Sequence, residues 1–108
     1  MADMERHIEF VELRGDPTIE GRQATLAGKC MAGPIRIGDR FTTLIDRDGG
    51  RHAVDLGVLD IGFYGGLVFE LDPALAGELV LMGDLAEVGL VGVTLLADIE
   101  DRKFEEDE

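Results

Sequence analysis

The chain has 108 residues, with 23 acidic against 10 basic side chains, 15 Gly, a single Cys and no Trp. A compact fold of this length buries about two thirds of its unfolded surface, so neither a metal nor a disulfide is needed to complete a core, and 45% hydrophobic content sets it apart from disordered chains. The net charge of −13 argues against nucleic acid and anionic membrane surfaces, both of which are held through cations, and favours a basic protein partner.

The first residues, Met1 to His7, lack the basic-then-apolar order of a secretory signal, and no apolar run is long enough to span a bilayer. A cytoplasmic protein is expected. Short apolar or alternating runs punctuated by glycine turns then predict strands throughout. Ile8 to Leu13 forms the first, closed by Arg14-Gly15-Asp16-Pro17. In the second, Arg22 to Met31, the residues Ala24, Leu26 and Cys30 share one face, opposite Gln23, Thr25 and Lys29. Ala32-Gly33-Pro34 turns into Ile35-Arg36-Ile37, and Gly38-Asp39 turns again into Phe41 to Ile45.

The clearest hairpin follows, with Asp46 to Gly50 leading to a strand from Arg51 to Leu59; Asp48-Gly49 supplies the positive φ that a tight turn needs. Gly62-Phe63-Tyr64-Gly65-Gly66 reads as a bend, and strands at Leu67 to Leu71, Glu78 to Met82 and Leu90 to Leu96 complete the set. Turns every eight to twelve residues or so point to a sandwich or small barrel. Closing the sheet removes the edges that such apolar strands would expose, which favours the barrel. The expected layout is an N-terminal extension over 1–7, a barrel over 8–97 and an acidic tail over 98–108, where seven acids outnumber Arg102 and Lys103.

The unbroken stretch from Ile19-Glu20-Gly21-Arg22 through Gly28, Gly33-Pro34 and Ile35-Arg36-Ile37-Gly38-Asp39 to Phe41 resembles the opening of the second domain of translational GTPases such as elongation factor Tu. Leu71-Asp72 and Ala76-Gly77, followed by the Glu78 to Gly83 strand, resemble a later segment of the same domain. The resemblance implies a six-stranded Greek-key β-barrel of the translation-protein type, standing alone, which with the roughly seven strands read from the runs and turns makes the expected fold a six- to seven-stranded all-β barrel. It carries no function with it. Gly28-Lys29-Cys30 lacks the upstream glycine and the Ser or Thr of a phosphate-binding loop, so nucleotide hydrolysis is not expected. The family's acidic-aromatic segment before the first glycine is replaced by Arg14-Gly15-Asp16-Pro17, and its polar Asn by Leu79, so no binding residue is carried over.

Cys30, His52 and Asp55 are the one set that resembles a nucleophile, base and orienter. Cys30 falls on an apolar strand face, and His52 and Asp55 lie at odd spacing, which points them to opposite faces. No catalytic residue is assigned. Asp46, Asp48 and Gly49 are similar to a fragment of a calcium loop without its closing Glu, and His7 and His52 sit on different strands, so neither metal nor cofactor is expected. Arg14-Gly15-Asp16 spells an adhesion tripeptide that a cytoplasmic protein would not use. Phe63 and Tyr64 are the candidate interaction residues, because paired aromatics on a glycine-flanked bend present the residue type enriched at interface hot spots. The alternative is that one of them plugs the barrel end.

The expected function is that of a non-enzymatic module acting through protein contacts, with an inhibitor or immunity-type binder of a basic partner as its specific form. Two alternatives stand beside it. One is a translation-associated factor binding ribosome or transfer RNA, and the other is a small-ligand binder or enzyme with a pocket at the barrel mouth. A homo-oligomer is compatible with each.

Overall fold

The computed structural model describes residues 4–83 and 89–101, and within them all regular structure is β. In chain order the strands are β1 (Met4–Glu12), β2 (Thr18–Glu20), β3 (Gln23–Ala32), β4 (Ile35–Arg36), β5 (Arg40–Ile45), β6 (Arg51–Phe63), β7 (Gly66–Val68), β8 (Glu70–Leu71), β9 (Ala76–Gly83) and β10 (Thr94–Asp101). The main sheet runs β1-β10-β5-β6-β9-β3, and an added β1–β3 pairing closes it into a six-stranded antiparallel barrel. The spatial order β10-β5-β6-β9 is a Greek key, since the last strand of the four in chain order returns to lie beside the first. β2 extends the sheet beyond β3, β7 pairs with the end of β6, and β4 and β8 form a separate ribbon.

Alternation explains which side chains point inward. Ala24, Leu26 and Cys30 of β3, Leu79 and Leu81 of β9, and Leu95 and Ala97 of β10 are all buried in one core. Two bulges reset the phase. A register shift in β5 lets both Phe41 and Leu44 face inward although they are three apart, and a shift in β6 does the same for Val58 and Ile61. The β4–β8 ribbon adds Ile35 and Leu71, which are paired with each other.

Closure depends on Gly28. Where β3 crosses β1, a Cβ at this position would run into the carbonyl of Val11, so only glycine lets the first and last edges of the sheet meet. Gly38 has a φ of +96°, the left-handed region that glycine enters freely, and this turn aims Asp39 inward.

The structure departs from the sequence reading in several places, one being the expected Leu67 to Leu71 strand, which a bend at Phe69 divides into β7 and β8 so that each half pairs with a different partner. β2 was not expected; it forms because Gly21, at φ +62°, turns the chain so that Glu20 pairs with Gln23. The bend at Gly62 to Gly66 is a two-residue hairpin, with β6 continuing through Phe63. The final strand begins at Thr94 rather than Leu90. Leu90 and Val93 are core residues on a loop turned by Gly92 at φ +70°. The β1–β10 ladder extends from Val11↔Thr94 to Met4↔Asp101, so residues from both the expected extension and the expected acidic tail pair with each other. Residues 1–3 and 102–108 lie outside the described residues.

Candidate functional site

The β6–β7 hairpin carries Tyr64, the most exposed large hydrophobic side chain among the described residues. Phe63 pairs with Gly66, which leaves Tyr64 and Gly65 as the turn, with φ of +52° and +80°. Two positive φ values are the mark of a type I′ turn, whose preferred residues are Asn, Asp and Gly. Tyrosine in this region costs about 1 kcal/mol against glycine, so local stability did not select it. Phe63 is half-buried against the core, and its ring meets that of Tyr64 edge to face at 4.5 Å and 65°. Phe63 thus braces the hairpin while Tyr64 projects into solvent at 95% exposure, with Leu67 at 76% and Phe69 at 85% beyond it.

Beside the hairpin lies an open groove of about 720 Å³. Phe63 to Leu67 form one wall and Leu13 and Arg14, after β1, another. Gly28, Gly62 and Gly77 add no side chain to its lining, and at Gly28 and Gly77 a Cβ would run into neighbouring backbone. The Glu78 carboxylate on β9 lies over Gly62, its Oε1 3.5 Å from where a Cβ would stand, and meets the Arg14 guanidinium at 3.6 Å.

The three residues considered for nucleophilic chemistry are not brought together. Cys30 is fully buried, donates to the Ala32 carbonyl at 3.3 Å, and has its thiol pKa pushed up by burial. The His52 ring meets the Asp46 carboxylate at 2.9 Å, and Arg40 donates to Asp55 at 2.6 Å. None of the three lines the groove. Asp46 is a turn former: its Oδ1 accepts from the amides of Asp48 and Gly50, and the contact with His52, followed by the Gly50 amide, holds its pKa below the usual carboxylate value. His7 bridges Asp98 at 3.1 Å and Glu9 at 3.3 Å, and these contacts raise its pKa above 6.5. Among the described residues no group of three or more His, Cys, Asp or Glu is placed to hold a metal ion, and no helix is long and apolar enough to cross a membrane.

Two buried polar arrangements were not anticipated from the sequence. Arg6 grips Asp39 through both terminal nitrogens, at 2.9 and 3.1 Å, and also donates to the Pro34 carbonyl at 2.7 Å, while Asp39 accepts the Arg36 amide at 2.8 Å. Glu12, also buried, accepts the amides of Gly15 at 2.6 Å and Gly92 at 2.8 Å, fastening the end of β1 to the loop before β10. The Arg14-Gly15-Asp16 tripeptide is therefore a turn capped by Glu12. Burial of charge demands such partners. The sequence hint was an acid beside each of two glycine turns, and although one amide that answers each acid is three residues away, Arg6 and the Gly92 amide lie far along the chain. The groove residues Arg14, Leu67 and Glu78 were also missed, as was the exposed Phe69 after β7, since nothing local sets them apart from ordinary surface positions.

No protein-family model, curated protein or solved structure matches the chain.

Proposed function

We propose that this chain is a non-enzymatic, cytoplasmic protein-binding module, built on a barrel of the elongation-factor domain 2 type and acting through the β6–β7 hairpin on a basic partner. The fold type draws support from Ile35-Arg36-Ile37-Gly38-Asp39, where the glycine turn and inward acid of the resemblance fall at a strand entry of the barrel. One observation carries the function: Tyr64 and Leu67 are held out on one hairpin with Phe69 exposed just after it, and Tyr64 is in a backbone conformation that tyrosine disfavours. Large apolar side chains presented in this way suit anchors for a protein surface, and the chain's net charge of −13 would speed encounter with a basic partner. An inhibitor or immunity-type binder of a basic protein is the specific form of this reading.

The test is affinity capture from lysate with the wild-type chain, the double variant Tyr64→Asn with Leu67→Ser, and Asp48→Asn as a remote control. A basic protein retained by wild type and control, lost from the double variant and weakened at high salt is the expected result. Capture that ignores the hairpin variant, or no capture at all, would overturn the reading.

A further inference from the structure

We propose that the groove beside the β6–β7 hairpin is a guanidinium site, which receives an arginine side chain from an extended basic segment of a partner protein, and that Arg14 occupies part of it in the free chain. The inference rests on the reading of the hairpin as a contact surface and adds the chemistry of what it contacts.

Three features of the groove converge on this ligand. The first is that a guanidinium already stands beside its carboxylate: Arg14 reaches Glu78 through one 3.6 Å contact, and the two side chains are 59% and 47% exposed. A loose, solvated pair of this kind is worth little, so a better-placed cation can displace Arg14 at small cost. The second is the aromatic wall of Phe63 and Tyr64, to which a planar guanidinium can stack while its edge donates to a carboxylate. An ammonium group cannot do both with one face and one edge, which favours arginine over lysine. The third is the lining by Gly28, Gly62 and Gly77 with Ala27 and Ala76, whose small or absent side chains leave room for an extended backbone as well as the side chain. Stacking alone would also suit a single-stranded nucleic acid, but the Glu78 carboxylate and the chain's −13 charge repel phosphates.

The experiment titrates the ¹⁵N-labelled full chain with the blocked pentapeptide Gly-Arg-Gly-Arg-Gly, with its lysine and citrulline counterparts, and with an oligouridylate. The arginine peptide is expected to shift amides at Leu13 and Arg14, at Gly62 to Leu67 and at Gly77 and Glu78, with the lysine peptide weaker and the citrulline peptide and oligouridylate inert. Tyr64→Asn should weaken binding about fivefold, as for loss of one exposed cation–π contact. Arg14→Gln should tighten it roughly threefold by removing the internal competitor, and Glu78→Gln should weaken it. The opposite signs matter, because a purely structural role for the Arg14–Glu78 pair would move both variants the same way. Shifts spread over the remote acids Asp48 and Asp55, equal binding of the lysine peptide, binding of the oligouridylate, or an Arg14→Gln variant that binds no better would each overturn the proposal. If hairpin-dependent capture of a basic protein persists while the arginine peptide fails, the ligand chemistry alone is wrong; if both fail, so is the contact surface.

Discussion

Two arginine–carboxylate pairs in this barrel differ in nearly every respect that sets their energetic worth. Arg6 and Asp39 are 14% and 8% exposed, bonded through two parallel contacts, and supported by the Pro34 carbonyl and the Arg36 amide. Arg14 and Glu78 share one long contact in water. Burial raises the cost of losing a partner, because the charge left behind can no longer be solvated. The first pair is therefore a structural clamp and the second an exchangeable surface contact.

The largest effect that separates them is on stability. Asp39→Ala removes the two-point carboxylate partner of Arg6 and the acceptor of the Arg36 amide and should destabilise the fold by about 3 kcal/mol, read as a drop in the urea midpoint, whereas Arg14→Gln should stay within about 0.5 kcal/mol of wild type. Comparable losses for both would erase the distinction.

A smaller effect concerns the paired aromatics, one bracing and one projecting. Tyr64→Asn places a residue that tolerates positive φ in the turn and should leave stability unchanged or raise it by up to about 1 kcal/mol, while Phe63→Ala removes core contact and should lower it. A clear loss for Tyr64→Asn would mean that its ring supports the fold after all.

Cys30 gives a qualitative check on how well the barrel is closed. Its buried thiol, with a raised pKa, should resist a thiol reagent in native buffer and react fully in denaturant. Rapid native labelling would show that the core is open.

The smallest expected effect is electrostatic. Contacts with Asp98 and Glu9 raise the pKa of His7 in the folded chain, so its contribution to stability is complete below pH 6.5 and fades as pH rises through the folded value. Because the ring is half exposed the amplitude is small, and the clean measurement is the NMR titration midpoint of His7, which should lie above 6.5 and fall in Asp98→Asn.

How far the residues announced this molecule varies by region. The inward face of β3 and the Asp46 to Gly50 hairpin were readable, since strand alternation and Asp-Gly turn chemistry act over a few neighbouring residues. The last strand was misplaced because Leu90, Val91 and Val93 look like a strand but surround the Gly92 turn, whereas Asp98 and Ile99 continue the alternation of Ala97 into a run that reads as an acidic tail. Phe63 and Tyr64 were picked out by their glycine flanks, yet their opposite fates were hidden. Which ring turns inward depends on β6 reaching Phe63 before the turn, and that register is set by the bulge after Val58 and by pairing with β9.

Residue order alone carried the β class, the number of principal runs, the glycine turns and the acidic balance, because each is a local or additive property. Closure of the sheet at Gly28, the Arg6–Asp39 clamp, the Glu12 tie to Gly92 and the groove joining Arg14 to Glu78 arose from folding in three dimensions. Each unites groups distant in sequence, and no short window holds the information on which distant backbone or charge a side chain will meet once the barrel shuts.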